Sequence, residues 1–125
     1  MSTDLFQRTE TYKIIGLCME VHKNLGPGFL EIVYKDALEY EFNKNLIKIE
    51  REKEYTVRYK EIVLKHQFYA DFVVFGNIIL EVKNVKNIND THVAQTINYL
   101  KVSSNKVALI VNFGEKSLTY QRIVV

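Results

Sequence analysis

The chain holds one cysteine, Cys18, and one proline, Pro27, in 125 residues. A lone cysteine excludes an intramolecular disulfide, which fits a reducing, cytoplasmic setting. No apolar run approaches the roughly 20 residues that cross a bilayer, so no transmembrane helix is expected. Residues 1–8, Met-Ser-Thr-Asp-Leu-Phe-Gln-Arg, lack the pattern of a signal peptide. Zinc-type Cys/His spacing is missing, and so is any aromatic-interleaved basic patch. Glycine-rich phosphate loops are also missing, which disfavours a nucleotide-hydrolysing motor. The net charge of +2 permits a polyanionic partner but argues for one only weakly.

The length leaves room for one compact core, so a single domain over residues 1–125 is expected. Residues 10–25 place Ile14, Cys18, Val21 and Leu25 at helical spacing. Gly26-Pro27-Gly28 ends that helix, and a second is expected over 29–43. Its sides carry Leu30, Val33, Ala37 and Tyr40, with Tyr34, Leu38 and Phe42 beside them. So short a turn requires the two helices to fold back on each other. From residue 47 the pattern changes to strands. Residues 49–57 and 57–64 read as neighbours, and 67–75 with 78–85 as a central hairpin. Asn89-Asp90-Thr91 offers caps for a third helix over 92–102. The near-continuous apolar run 107–113 marks a strand covered on both faces, and 117–125 reads as a last strand. A helical pair at 10–43, followed by a sheet and third helix at 47–125, implies an α/β fold: a mixed sheet with helices on both faces.

Chemistry concentrates in Tyr-Ala-Asp-Phe-Val-Val-Phe-Gly-Asn-Ile-Ile-Leu-Glu-Val-Lys, which ends at Lys83. Glu81 and Lys83 flank Val82 and share a strand face with each other. Together with Asp71 they suggest a divalent cation and a polarised water. The plain alternative is a solvated strand end. Hairpin parity separates the two readings. A two-residue Gly76-Asn77 loop would oppose Asp71 to Val82 and turn it away from Glu81. A shared site therefore requires an odd loop, such as Phe75-Gly76-Asn77, or a bulge.

These elements resemble the GxxExxY family, a branch of the PD-(D/E)xK nuclease-like superfamily. The naming motif is Gly28-Phe29-Leu30-Glu31-Ile32-Val33-Tyr34, preceded by Val21-His22-Lys23-Asn24-Leu25-Gly26-Pro27. Ala70-Asp71, Glu81-Val82-Lys83, His92-Val93-Ala94-Gln95, Asn98-Tyr99-Leu100 and Asn112-Phe113-Gly114 also match, so the resemblance runs from about Ile14 to Val124. It implies a restriction-endonuclease-like three-layer α/β/α core with a mixed central sheet. It further implies Mg²⁺ or Mn²⁺ held by Asp71, Glu81 and the Val82 carbonyl. Lys83 would act on the attacking water or the scissile phosphate, as base or as electrostatic clamp. Glu31 is implied as a further ligand, direct or through water, against a helix-dipole role from position alone. Gln95 and Tyr99, four apart, resemble the Gln-x-x-x-Tyr element of RecB-type exonucleases, with nucleic-acid contact as the implied role. His92 is a candidate phosphate contact or a surface residue. Tyr34 and His22 are supporting residues, Tyr34 with its hydroxyl toward the site and His22 in the core. The superfamily's frequent proline before the first acid is Ala70 here.

Two functions follow from this set. One is metal-dependent hydrolysis of DNA, less readily RNA. The other is a non-catalytic nuclease-like module that binds nucleic acid or protein. A homodimer is a further expectation, with Tyr40, Phe42 and the last strand as contacts.

Overall fold

The computed structural model describes residues 7–125, so most of the stretch expected not to be a signal peptide lies outside the described residues. The elements are α1 (Arg8–Leu25), α2 (Glu31–Lys44), β1 (Ile49–Tyr55), β2 (Arg58–Tyr59), β3 (Ile62–Val63), β4 (Phe68–Val74), β5 (Ile78–Lys83), α3 (Asp90–Ser103), β6 (Val107–Asn112) and β7 (Thr119–Val124). Among the described residues no helix is long and apolar enough to cross a membrane.

α1 buries its apolar stripe, Ile14, Cys18 and Val21, and burial pushes the Cys18 thiol up, away from reactive ionisation. Gly26, at φ +69°, turns the chain out of α1 and donates its N–H to His22 O at 2.7 Å. The turn is held from the next helix. The Tyr34 hydroxyl donates to Gly26 O at 2.6 Å and accepts from Phe29 N–H at 3.2 Å. α2 buries Tyr34, Leu38 and Phe42, four residues apart. Leu30 and Tyr40, on the expected side of the helix, are exposed instead. The helix is rotated so that Tyr34 stacks on Phe113, with centroids 4.4 Å apart. That rotation also withdraws Phe42 from any dimer contact, because it is wholly buried.

Five strands form one mixed sheet in the order β1-β4-β5-β6-β7, with β5 and β6 parallel and the other pairs antiparallel. The parallel pair is bridged by α3, as a crossover connection requires. α1 and α2 cover one face over Phe72, Val74, Leu80, Val82 and Leu109. α3 covers the other over Val73, Ile79, Ala108 and Ile110. The result is the expected mixed α/β architecture with helices on both faces. β6 lies buried along its whole length between them.

Residues 49–57 and 57–64 are not neighbours in the sheet, contrary to expectation. β1 pairs with β4, while β2 and β3 form a separate two-stranded ribbon. The ribbon is exposed along its length, so no burial recruits it into the main sheet.

β4 pairs with β5 through Val74↔Ile78, Val73↔Ile79 and Phe72↔Leu80, which leaves a three-residue loop at 75–77. Phe75 and Gly76 both adopt positive φ, +57° and +82°. This is the odd parity that a shared acid site requires.

Past their last paired residues, β5 and β6 are stitched together by one buried amide. The Asn112 side chain donates to Val85 O and accepts from Val85 N–H and Gly114 N–H, at 2.9–3.0 Å. Gly114 lies so close that a Cβ there would sit 2.4 Å from Val85 O and 2.6 Å from Val85 N. Neither backbone atom can move without breaking the Asn112 bonds. Gly114→Ala is therefore expected to lower stability by about 2 kcal/mol, as overpacking does, read from urea unfolding. Gly16→Ala, where a Cβ meets nothing within 4 Å, is the matched control and should not destabilise.

Candidate active site

The β4–β5 ladder closes at Phe72↔Leu80, and beyond it two carboxylates take over the hydrogen bonding. Asp71 N–H donates to Glu81 Oε2 at 2.9 Å, and Val82 N–H donates to Asp71 Oδ2 at 2.8 Å. Each acid thus satisfies a backbone donor beside the other acid, and the pair is interlocked. Glu81 is buried and Asp71 half-buried.

The rung that would join Glu52 to Asp71 is missing between Arg51↔Phe72 and Lys53↔Ala70. Glu52 sits at φ +55°, a conformation unusual for a residue with a Cβ. Side-chain alternation slips at this level. Phe72 packs toward α1 and α2, whereas Ala70 packs toward α3, although both are even-numbered. Strand alternation alone would put them on one face.

That slip opens Asp71 to both layers. From α2, the buried Lys35 ammonium donates to Asp71 Oδ1 at 2.9 Å and forms an ion pair with Glu52. From the other layer comes Tyr99 of α3. Burial pushes its phenol up, with the charges of Glu81 and Asp71 adding to the rise and a Gln95 hydrogen bond opposing it. Gln95 and Tyr99 thus sit together on α3, with the charges of the acid pair felt at the Tyr99 phenol. Lys83 lies half-buried two residues beyond Glu81 on the same face, and its charge also bears on Glu81. Among the described residues its ammonium forms no ion pair within 4 Å.

Other expected residues sit elsewhere. Glu31 is exposed in the first turn of α2. No three Asp, Glu, His or Cys residues converge on a common point among the described residues. From α2 it is Lys35, one turn beyond Glu31, that reaches Asp71. The Tyr34 hydroxyl holds the Gly26 turn and does not face the acids. His92 closes a reciprocal cap, its N–H donating to Asn89 Oδ1 at 3.0 Å while its Nδ1 accepts from Asn89 N–H at 3.2 Å. That bond places the proton of a neutral His92 on Nε2. His22 is a core residue, with Nε2 2.9 Å from Glu115 O and its ring stacked on Phe113.

Sequence reasoning missed Lys35 and Glu52. Lys35 adjoins the Tyr34, Leu38, Phe42 stripe, and a lysine at such a border ordinarily reads as a solvated rim. Glu52 belongs to the run Glu50, Glu52, Glu54, where nothing marks the middle acid.

The family model of the PD-(D/E)XK nuclease superfamily matches residues 8–123, nearly the whole chain. The chain belongs to that superfamily, and the five-stranded mixed sheet flanked by helices is consistent with its restriction-endonuclease-like fold. No curated protein matches the chain. Among solved structures, the crystal structure of SSO0001 is similar in fold, with a TM-score of 0.57 at 19% identity. The similarity covers 74% of this chain and 48% of that one, so the chain spans about half of that protein.

Burial, and then the charge of Asp71, push the Glu81 carboxyl up to about 7 from 4.5. Asp71 N–H and the ammonium groups of Lys83 and Lys35 pull the other way without cancelling the rise. Between those two values the folded chain holds a proton that the unfolded chain has released. Unfolding then releases a proton, so stability falls as pH rises from 4.5 to 7. Glu81→Gln keeps the acceptor for Asp71 N–H and removes the charge. In EDTA it is expected to match the parent below pH 4.5 and to exceed it by about 3 kcal/mol above pH 7. Urea titrations across pH 4–8.5 check this, and equal stabilities at pH 8 would contradict the burial argument.

Proposed function

We propose that the chain is a divalent-metal-dependent nuclease of the GxxExxY branch, a single nuclease-like domain over residues 1–125 working in the cytoplasm. It cleaves phosphodiester bonds of DNA in preference to RNA. The observation that carries this reading is the interlocked Asp71–Glu81 pair with Lys83 on the face of Glu81, in a chain matched along its length by a nuclease superfamily.

The donor set suits Mg²⁺ or Mn²⁺. Asp71 and Glu81 offer carboxylate oxygens and Val82 a carbonyl, all hard donors. Burial first, and then the charge of Asp71, hold the Glu81 carboxyl high, and a dication would favour its ionised form. Such an ion supplies Lewis acidity and an acidified water when bound. Lys83 then orients the attacking water and stabilises charge developing on the phosphate. Gln95 and Tyr99 hold the strand from α3, and the Nε2–H of His92 is available to a phosphate oxygen. Glu31 acts at most through water.

One observation favours the non-catalytic alternative. Both Asp71 oxygens already accept hydrogen bonds, and Lys35 is itself a cation on one of them. Mn²⁺ titration by calorimetry, with a nuclease assay, separates the readings. Asp71→Asn and Glu81→Gln should lose ion binding and cleavage together. Lys83→Ala should keep the ion and lose about 100-fold or more in rate. Glu31→Ala should cost less than about tenfold, in keeping with a role through water. A parent chain that takes up no Mn²⁺, or cleavage unchanged in Asp71→Asn, would leave the non-catalytic module as the reading.

A further inference from the structure

A cavity of about 470 Å³ lies between α3 and the chain entering β4, walled by His66, Phe68, Asn98, Tyr99, Lys101 and Val102. It is distinct from the acid pair, and it is lined by Tyr99, whose phenol feels the charges of Glu81 and Asp71. Its volume falls in the range of about 300–1,000 Å³ typical of small-molecule sites.

The wall is made of stacked rings. Tyr99 lies on Phe68 with centroids 4.1 Å apart and planes 3° from parallel, and Phe68 lies on Tyr55 at 5.2 Å and 18°. Strand and helix fix this run from both sides. Phe68 is covered by Tyr55 and Tyr99, so the ring face left for a ligand is the outer face of Tyr99, which suits a ligand that is itself flat and apolar on its faces. The rim selects polar edges. Asn98 and His66 hydrogen-bond to no other described side chain and so can serve a ligand, while Lys101 adds positive charge. A planar heterocycle with a donor-and-acceptor edge, carried on an anionic backbone, meets all three demands.

We infer that this cavity binds an unpaired nucleobase of a single-stranded nucleic acid, adjacent to the phosphate presented to Asp71 and Glu81. The inference rests on the proposed function and narrows its substrate. A base inside a duplex has both faces stacked and its edge paired, so it enters such a cavity only by leaving the stack. Single strands and frayed ends present their bases without that cost. Base–ring stacking tolerates any sequence, since every base has a π-face.

The test is binding without hydrolysis. Fluorescence anisotropy in EDTA compares a single-stranded 12-mer, a fully abasic strand of equal length and charge, and the corresponding duplex. The intact strand should bind about tenfold or more tighter than the abasic strand, and tighter than the duplex. Val102→Trp, which fills the cavity, should erase that preference while leaving weak abasic-strand binding unchanged. Asn98→Ala, an exposed truncation, should weaken the intact strand severalfold and the abasic strand not at all, and it decides the matter if Val102→Trp fails to fold. Equal binding of intact and abasic strands overturns the inference. So does a folded Val102→Trp, or an Asn98→Ala, that retains the parent's affinity for the intact strand. The nuclease reading fails separately. An Mn²⁺-independent, inactive chain that still prefers the intact strand keeps the base site and loses the hydrolytic one.

Discussion

The site depends on two carboxylates doing the work of a β-ladder. Where β4 and β5 part, the N–H groups of Asp71 and Val82 would be orphaned in a largely buried place, at a cost of about 1–3 kcal/mol each. Glu81 and Asp71 accept those two protons crosswise. This explains why like charges are tolerated side by side: each is held by a backbone donor that has no other partner. It also ties each carboxylate to backbone, with the Lys35 ammonium as a further partner of Asp71. The repulsion that remains is carried by Glu81, the more buried of the two.

The same opening couples the two helical layers. The missing Glu52–Asp71 rung and the slip in alternation let one strand address both faces of the sheet. Lys35 reaches Asp71 from the α2 side, and Tyr99 approaches from the α3 side. Glu52 holds a left-handed backbone, a cost of order 1 kcal/mol, and its carboxylate pairs with Lys35. Strain at this rung lies directly beside the acid pair.

How much of this was legible follows from what each signal encodes. The buried stripe of α1, the parallel crossover and the doubly covered β6 are written in apolar periodicity, which reports burial directly, whereas the phase of α2 was not. Hairpin parity was legible only as a condition, because Gly76 announces a left-handed residue and Phe75, at φ +57°, does not. The pairing of β1 with β4 was not legible: residues 58–63 carry the strand-favouring Tyr59, Ile62 and Val63, and only their exposure shows that nothing buries them. The acids and Lys83 stood out because charge inside an apolar run is costly. Lys35 and Glu52 did not, since each looks like ordinary surface until the third dimension pairs them.

The charge balance at the site constrains how it works. Lys35 and Glu52 compensate each other, and Asp71 is held by Lys35 and Val82 N–H. The group left near its own titration is Glu81, facing Lys83. Under the proposed reading, a dication held by Asp71 and Glu81 would require Glu81 ionised, so its uptake would carry proton release with it. Lys35 would then face a like charge across Asp71, with Glu52 as its paired anion. An acid in Lys35's position would add a ligand and raise the repulsion already borne by Glu81. A lysine there lowers that repulsion and, under the proposed reading, would leave an ion to two carboxylates. Such a site would favour a weakly held, water-rich ion over a tightly caged one, as a cation that retains several waters requires.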